Sequence, residues 1–525
     1  MRDPVQAVFD LYQRGEKATA LARAERLLAT RKTDIRLLHL TAIAHLEQGA
    51  HAQAEQRLGQ LLKLNPDDAI ALVTLGNLCQ ARAAFDQAEA HYRRAAQLRP
   101  DLANIHNNLG ILLKKQKRLA EAEAAFRQAL QADPDCVESL LGLGNLLVEA
   151  QRHAEAEPLL RQVLTLQPDE IRALNNLANL LADRKQYQEA EIRFRQVLAL
   201  RPEQADARCN LGQLLLAQGR FAEGWRWYET RYHPERLEPV VIDSAPGLPW
   251  WQGGDPAGKT LLILPEQGVG DAILHASMLP DLLARGARVI LECDERLVPL
   301  FARSFPGCRC IGTGREKERR AAEAECDFVT PLGSLGQWLR SDGAAFPQRN
   351  AFLAADRERS ALLRQRYLPE GRGLLTGIAW HSANPTLGKK KSMALAELHP
   401  LLSLPGITFV DLQYGDTGAE RAAFTAATGI GILHDDTIDQ MADLDGFAAQ
   451  VAAMDAVVTI SNTTAHMAGA LGVPTLLMLW PGSLWYWMVK RDDSPWYPSM
   501  RLFRAEEGAP MELDPLIRFL LGRVR

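Results

Sequence analysis

Apolar and small residues recur with a period of 34 residues through the first 235 residues of the chain. One column is leucine, at positions 75, 109, 143, 177 and 211, and the next column is small, at Gly76, Gly110, Gly144, Ala178 and Gly212. A second small column holds Ala54, Ala88, Ala122, Ala156 and Ala190, and proline closes each unit at positions 66, 100, 134, 168 and 202. Such a unit predicts two helices that pack closely at the small columns, with the second helix ending at the proline.

Two irregular units flank the five regular ones. A degenerate unit occupies about residues 3–33, and a modified last unit, AEGWRWYETRYHP, ends near Pro234. Trp225 and Trp227 of this unit are interpreted as a cap or a docking face. Stacked units of this kind predict an all-α solenoid over residues 1–235, with inner helices that line a concave groove.

Asparagine recurs at two positions of the predicted inner helices: Asn108, Asn176 and Asn210 in one row, and Asn77, Asn145 and Asn179 in the other. An amide side chain donates and accepts together, so the first row is predicted to pair with the backbone of a polypeptide in the groove. The alternative is that these asparagines form hydrogen bonds between helices.

From Lys259 onward the pattern changes to short apolar runs that alternate with amphipathic segments. The predicted strands are 259–264, 287–293, 374–380, 406–412, 456–461 and 475–480. This alternation predicts parallel sheets covered by helices on both faces. We therefore expect a linker over 236–257, an N-terminal Rossmann-like lobe over 258–370 and a C-terminal Rossmann-like lobe over 371–525.

Composition narrows the class of protein without identifying a chemistry. The 525 residues carry a net charge of −4, which gives no electrostatic reason to expect a nucleic acid or an anionic membrane as partner. The seven cysteines contain no C-x-x-C pair, so structural zinc and a disulfide framework are not expected. Neither a signal peptide nor an apolar run long enough to span a bilayer is recognised, so a cytoplasmic location is expected.

Four turns at predicted strand ends hold the candidate chemistry, because ligands of such sheets bind beyond the carboxyl ends of the strands. The turn EQGVGDA contains Gly268, Gly270 and Asp271, and the carboxylate of Asp271 is also suited to cap a helix. The loop HSANPTLGKKKS follows a strand and carries three lysines, which are either a solvated charge run or an anion site. In LQYGD, Gln413 and Tyr414 are positioned to contact a base or a sugar.

The fourth turn is ISNTTAHMAGALG, over residues 460–472. It reads as a strand end followed by the N-terminus of a helix whose face is made of small residues. Free backbone N–H groups at such an end bind phosphate. Asn462, Thr463 and Thr464 are the predicted contacts, and His466 is either a ligand or a buried helix histidine.

Together with RDDSPWYPSMRLFR, these motifs resemble the glycosyltransferase half of bacterial proteins that join repeats to a transferase. Such proteins are related to the heptosyltransferases (glycosyltransferase family 9) and are more distantly similar to protein O-GlcNAc transferases. The resemblance covers about residues 245–510 and implies tetratricopeptide repeats followed by a two-lobed GT-B transferase. It places the acceptor at the N-terminal lobe, 258–370, and the nucleotide sugar at the C-terminal lobe, 371–525. The SNTTAH and LWYW forms resemble the subset linked with flagellin glycosylation.

The resemblance also implies roles for particular residues. Asp271 matches the proposed general base, and Lys391 matches the lysine that contacts the donor phosphate. Ser461 stands where heptosyltransferases have an aspartate that contacts the donor, so a heptose donor is in doubt. His381 is a candidate catalytic contact, and Ser382, Asn384 and Ser392 are candidate donor contacts in the same loop. Trp485 and Trp487 are expected to pack beneath the cleft rather than to stack on a sugar.

No metal site is expected. Asp443 and Asp445 spell the D-x-D motif of another transferase fold, but they are expected to open a helix as a cap. No cofactor is expected besides a nucleotide-sugar substrate, with CMP, UDP or another nucleotide unresolved.

The leading hypothesis is an inverting, metal-independent glycosyltransferase that modifies Ser or Thr of a protein, with flagellin as the suspected acceptor. A lipopolysaccharide or capsule glycosyltransferase and a non-catalytic repeat scaffold with a nucleotide-binding domain remain alternatives. Self-association through the repeats is also open.

Overall fold

The computed structural model describes residues 3–242, 245, 247–266, 268–382, 388–506 and 508–524. The chain forms two compact units, residues 1–180 and residues 181–525. The last part of the repeat region therefore belongs to the same unit as the sheets. Among the described residues, no helix has the length and apolar character needed to cross a membrane.

The described residues from 4 to 228 form fourteen helices in seven consecutive pairs, which confirms the predicted all-α repeat region. The helices are α1 Pro4–Gln13, α2 Lys17–Thr30, α3 Ile35–Glu47, α4 His51–Leu64, α5 Ala69–Ala81, α6 Phe85–Leu98, α7 Ala103–Lys115, α8 Leu119–Ala132, α9 Val137–Glu149, α10 His153–Leu166, α11 Ile171–Asp183, α12 Tyr187–Leu200, α13 Ala205–Ala217 and α14 Phe221–Tyr228. A 3₁₀ turn, Glu229–Tyr232, follows α14.

Glycines of the small column let paired helices approach each other. A Cβ atom at Gly76 would lie 2.5 Å from the ring of Tyr92, and one at Gly110 would lie 2.8 Å from the ring of Phe126. Real Cβ atoms do not approach so closely, so only glycine fits at these points. The predicted close packing at this column is confirmed.

Nine parallel strands follow the repeats within the described residues and form two sheets. The four-stranded sheet has the order β3-β2-β1-β4, and the five-stranded sheet has the order β6-β5-β7-β8-β9. The strands are β1 Thr260–Leu264, β2 Arg288–Cys293, β3 Cys308–Gly312, β4 Phe328–Pro331, β5 Leu374–Ala379, β6 Ile407–Asp411, β7 Ala456–Ile460, β8 Thr475–Leu479 and β9 Met500–Arg504. The predicted parallel α/β fold is confirmed, whereas its identification as GT-B stays a prediction.

Helices connect the strands, as the alternating pattern predicted. They are α15 Val269–Ala276, α16 Leu279–Ala284, α17 Val298–Ser304, α18 Glu316–Glu323, α19 Gly336–Leu339, α20 Arg357–Tyr367, α21 Gly388–Lys391, α22 His399–Leu402, α23 Gly418–Thr428, α24 Leu444–Ala452, α25 Thr463–Ala470 and α26 Asp514–Leu521. Shorter 3₁₀ turns include Leu332–Leu335 and Trp485–Trp487.

The last helical pair packs directly on the α/β part of its unit. Trp225 on α14 is 1% exposed, and its indole N–H donates to the carbonyl oxygen of Arg340 at 2.9 Å. The ring of Trp225 also meets the ring of Trp485 edge-on, with centroids 5.2 Å apart. The interpretation of Trp225 as part of a docking face is confirmed, while Trp227 is half-buried beneath the guanidinium of Arg208.

Candidate functional site

Asp271 lies in the first turn of α15, just beyond the carboxyl end of β1. The helix begins after Gly268, whose φ of +28° suits glycine, and none of the described side chains caps it. The carboxylate of Asp271 is therefore not used as the N-cap. Burial and the negative charge of Glu266 raise the pKa of Asp271 to about 7, although the ammonium of Lys391 opposes this shift. Near neutral pH this carboxyl group can both hold and release a proton.

Glu266, five residues before Asp271, belongs to a buried ion-pair cluster that joins the repeat end to this turn. Arg231, which is 1% exposed, lies 3.3 Å from the carboxylate of Glu266 and also pairs with Glu229. The hydroxyl of Tyr232 donates to Glu266 at 2.9 Å, and the backbone N–H of Gly333 donates to the same carboxylate. Burial opposes ionisation of Glu266, but the charge of Arg231 holds its pKa below the usual value.

Helix α25 packs against α15, and Gly270 lies at their contact. A Cβ atom at Gly270 would lie 3.0 Å from the ring of His466, so the small residue at this turn lets the helices meet. His466 is 3% exposed, stacks on Trp487 with centroids 5.0 Å apart, and shares a hydrogen bond of 2.9 Å with the hydroxyl of Tyr497. Burial lowers the pKa of His466 to about 3, so its imidazole is neutral. This placement is that of the buried helix histidine.

Lys391 reaches the same turn from the loop after β5. Its ammonium donates to the carbonyl oxygen of Ser461 at 2.6 Å, and burial lowers its pKa. The hydroxyl of Ser461 accepts from the indole N–H of Trp487 at 2.8 Å, which gives serine at this position a structural role. Ser392 ties the loop together, because its hydroxyl accepts from the backbone N–H of Ser382 and donates to Gly388. Asn384 lies outside the described residues.

A cavity of about 480 Å³ brings Asp271 and Lys391 together. This volume suits a small organic ligand. The sheet-bearing part of the chain lines it with Glu266, Asp271, His275, Lys391, Trp485 and Tyr486, and the last repeat and linker contribute Gln213, Tyr228, Arg231, Arg236 and Glu238. The cavity therefore combines a titratable carboxyl group, a cation and aromatic rings.

Three predicted contacts at other strand ends differ in their access to solvent. Gln413 is fully buried: its amide oxygen accepts from the backbone N–H groups of Trp380 and His381, and its amide nitrogen donates to Tyr414. The prediction that Gln413 contacts a base or sugar does not fit this placement, because strand ends occupy both its polar atoms. His381 and Tyr414 are half-buried side by side, with ring centroids 6.1 Å apart.

The N-terminus of α25 is capped by Asn462. Its amide oxygen accepts from the backbone N–H of Ala465 at 3.2 Å and from the hydroxyl of Thr459 at 3.0 Å. The hydroxyl of Thr464 is buried and points to the carbonyl oxygen of Leu412 at 3.4 Å, whereas Thr463 is half-buried. One N–H group of the helix end is thus occupied by the cap, and phosphate binding at this end stays a prediction.

The asparagine rows of the repeats pair with each other. Asn108 donates to the amide oxygen of Asn77 at 3.3 Å, and Asn176 donates to that of Asn145. Asn210 on α13 is half-buried. The pairs Asn108–Asn77 and Asn176–Asn145 are the hydrogen bonds between helices that the alternative interpretation predicts. Binding of a polypeptide at this row stays a prediction.

The D-x-D sequence serves structure. Asp443 accepts from the backbone N–H of Gly446 at 2.7 Å as the N-cap of α24, which confirms the predicted cap, and it pairs with Arg359. Asp445 pairs with Arg303. Within the described ranges, no cluster of three or more His, Cys, Asp or Glu side chains is arranged to hold a metal ion.

Sequence reasoning missed several residues that line the cavity. Glu266 is the first residue of the motif EQGVGDA, and a carboxylate two residues after a buried strand could have been singled out on the same grounds as Asp271. His275, four residues after Asp271, faces the same side of α15. Burial lowers the pKa of His275 to about 4. Gln213, Tyr228 and Arg231 carried no signal, because a repeat pattern does not reveal which residues meet the sheets.

Profiles of the tetratricopeptide repeat match much of the helical region. One profile matches residues 107–171, 141–193 and 175–230, and a second matches residues 67–135. The chain is also 38% identical over 307 residues to Protein FlbA of Caulobacter vibrioides, an alignment that covers 56% of this chain and 50% of that protein. The chain thus spans about half the length of the curated relative it matches.

Solved structures of repeat proteins are similar to part of the chain. YrrB, described as a TPR protein with an unusual peptide-binding site, is 23% identical with a TM-score of 0.30, covering 33% of this chain and 89% of YrrB. The type IV pilus biogenesis factor PilW is 24% identical with a TM-score of 0.35, covering 39% of this chain and 96% of PilW. The profile matches lead to one conclusion: residues 67–230 of the chain are tetratricopeptide repeats.

Proposed function

We propose that the chain is an inverting, metal-independent glycosyltransferase that moves a sugar from a nucleotide donor onto Ser or Thr of a protein. The observation that carries this proposal is Asp271, a carboxyl group with a pKa of about 7 in a cavity of about 480 Å³. A general base is most effective when its pKa lies near the working pH. Lys391 in the same cavity supplies the positive charge that a departing phosphate requires.

The proposed reaction is a single displacement at the anomeric carbon. The acceptor oxygen forms a bond to that carbon as the bond to the donor phosphate breaks, and the nucleotide leaves with the bonding electrons. Asp271 takes the proton of the acceptor hydroxyl. The ammonium of Lys391 and the N-terminus of α25 stabilise the charge that develops on the phosphate. No metal or further cofactor is needed for this scheme.

The repeat region is the basis for proposing a polypeptide acceptor, and the cavity of the α/β region is the basis for proposing a nucleotide-sugar donor. The repeats would hold a polypeptide, with flagellin as the first candidate, and the cavity would receive the donor. A nonulosonic acid carried on CMP is the first donor to test. A heptose donor is less favoured, because Ser461 stands where heptosyltransferases have an aspartate. Asp271 would act as catalytic base for any of these donors.

The test is sugar transfer by Asp271→Asn, which keeps the size of the side chain but removes its basicity. We expect loss of transfer by about two to four orders of magnitude, the usual contribution of a general base. Asp492→Asn is the matched control, because Asp492 is exposed and outside the cavity. Full transfer by Asp271→Asn would show that another group is the base.

A titration with CMP, UDP, GDP and ADP separates the alternative functions. Binding of one nucleotide together with transfer to a polypeptide supports the proposal. Transfer to a lipopolysaccharide or capsule glycan instead supports the alternative acceptor. Binding of a nucleotide without transfer to any acceptor supports a non-catalytic repeat scaffold with a nucleotide-binding domain.

A further inference from the structure

One wall of the cavity belongs to the last helical repeat. Gln213 on α13, Tyr228 at the end of α14 and Arg231 beyond it line the cavity together with Asp271. The guanidinium of Arg231 lies 4.5 Å from the ring of Tyr228 and is paired with Glu266. Tyr228 and Arg231 therefore belong to the buried cluster that stabilises the turn after β1, and their side chains already have partners there.

Gln213 differs from these neighbours. Its side chain is half-buried, and its amide nitrogen lies 4.0 Å from the sulfur of Cys209, which is a weak acceptor. Within the part of the chain that the structure describes, this is its one side-chain hydrogen bond. An amide that can donate two and accept two hydrogen bonds is thus left with capacity for a ligand in the cavity.

The backbone that carries Gln213 is firmly fixed. Leu211 and Leu214 on either side are buried, and a Cβ atom at Gly212 would lie 2.5 Å from the backbone nitrogen of Tyr228. Helices α13 and α14 are therefore in direct backbone contact beside this position. The backbone at this position therefore needs no rearrangement to present the side chain to the cavity.

Gln213 occupies a register of the repeat that carries amide side chains in the preceding units. It follows Asn179 by 34 residues, as Asn179 follows Asn145, so one register of the repeat carries an amide three times in succession. In the last unit this register lies on the cavity wall. A neutral amide does not balance the charge of a phosphate, whereas Lys391 on the sheet-bearing side does.

We propose that Gln213 positions the acceptor polypeptide, by hydrogen bonding to its backbone within reach of Asp271. The amide of Gln213 matches the C=O and N–H of one peptide unit, so it holds the chain without selecting a side chain. The proposal rests on the proposed function for the identity of the acceptor. It makes the last repeat part of the reaction site and Gln213 a positioning residue.

The test compares Gln213→Leu and Gln213→Ala with Gln218→Leu in the full chain. Gln218 caps the same helix, where its amide donates to Leu214 at 3.2 Å, and it does not line the cavity. The probe is an array of short peptides that contain serine or threonine, with binding measured in parallel to CMP and UDP. We expect both Gln213 variants to bind peptides about three- to tenfold more weakly, as for loss of one or two neutral hydrogen bonds, with nucleotide binding unchanged.

Several results overturn the proposal: no peptide bound by the unmodified protein, unchanged peptide binding in both Gln213 variants, or an equal loss of nucleotide binding. An equal loss in Gln218→Leu also overturns it, because the effect then comes from the helix. Peptide binding that depends on Gln213 without any sugar transfer supports this proposal and contradicts the proposed function. Transfer and peptide binding that are unchanged in both Gln213 variants contradict this proposal alone.

Discussion

Asp271 holds its proton to about pH 7 because it is surrounded by groups that act in opposite directions. Burial and Glu266 disfavour its charge, and Lys391 favours it. Burial opposes ionisation of Glu266, and the charge of Arg231, with the hydrogen bond from Tyr232, holds the pKa of Glu266 below its usual value. The protonation of one cavity residue thus depends on a cation that follows the last repeat helix.

The raised pKa of Asp271 makes the folded protein less stable at higher pH. Asp271 ionises near 3.8 in the unfolded chain and near 7 in the folded chain, so the folded state holds the extra proton between these values. The unmodified protein therefore loses stability as the pH rises from about 4 to about 7. We expect Asp271→Asn to be about 4 kcal/mol more stable than the unmodified protein at about pH 8, and about equally stable near pH 4.

Urea unfolding at a series of pH values measures this difference. Asp492→Asn again serves as the control, and its difference from the unmodified protein should not change with pH. A constant difference for Asp271→Asn would mean that Asp271 has an ordinary pKa in the folded chain. The same variant should be the more stable and the less active one.

Ser461 supports a second residue-scale prediction. The indole N–H of Trp487 is buried and donates to the hydroxyl of Ser461. Ser461→Ala leaves this donor without its partner, which we expect to lower the free energy of unfolding by about 1–3 kcal/mol. Ser403→Ala, at an exposed helix end, should change it by less than about 0.5 kcal/mol. Equal changes in the two variants, measured by urea unfolding, would contradict the structural role of Ser461.

At the scale of elements, the sequence predicted every interior strand and one edge strand, β6, and it missed the other three edge strands. The six predicted strands include every interior strand of both sheets, and β3, β4 and β9, which were missed, are all edge strands. An interior strand of a parallel sheet is apolar on both faces, so a continuous apolar run identifies it. An edge strand such as Cys308–Gly312 has exposed positions, and its pattern resembles a loop.

The candidate site was predictable in part for the same reason. Asp271 and Lys391 follow strands that the apolar pattern identified, and the structure brings them to one cavity. Gln413 also follows such a strand, but its amide oxygen accepts hydrogen bonds from neighbouring backbone N–H groups. No sequence pattern indicates these hydrogen bonds. Strand ends indicate where polar residues gather, and only coordinates show which of them remain accessible.

The repeat helices give a prediction that uses two glycines. Gly110 on α7 has no room for a Cβ atom beside Phe126, whereas a Cβ atom at Gly59 on α4 meets nothing within 4 Å. We expect Gly110→Ala to lower the free energy of unfolding by about 1–3 kcal/mol, since Phe126 must move. Gly59→Ala should raise it by about 0.5–1 kcal/mol, because alanine favours the helix. Thermal unfolding of the two variants tests whether the change in the free energy of unfolding is set by the steric contact or by helix propensity.

At the scale of the molecule, the last repeat and the α/β region share one compact unit. Trp225 and Arg231 are buried against residues of the first sheet region, including Arg340 and Glu266. A fragment that starts after the repeats loses these contacts, including the cation of Glu266 and the apolar cover that Trp225 provides. Loss of the ion pair and of this buried apolar surface is expected to destabilise the α/β region.

Two fragments test this arrangement. We expect residues 184–525 to unfold at a temperature at least about 10 °C higher than residues 245–525, because only the longer fragment keeps the buried pair and Trp225. Differential scanning calorimetry measures both transitions. Equal transition temperatures would mean that the α/β region does not depend on the last repeat.

The burial of Trp225 beside Arg340 also sets a rule for recombination of this architecture. Repeats are exchanged most easily where each unit contacts only its neighbours. The pair α13–α14 does not meet that condition, because it has become part of the wall of the cavity. A chimera made to redirect the protein to a new acceptor should therefore join its foreign repeats before Ala205 and keep the native pair as an adaptor.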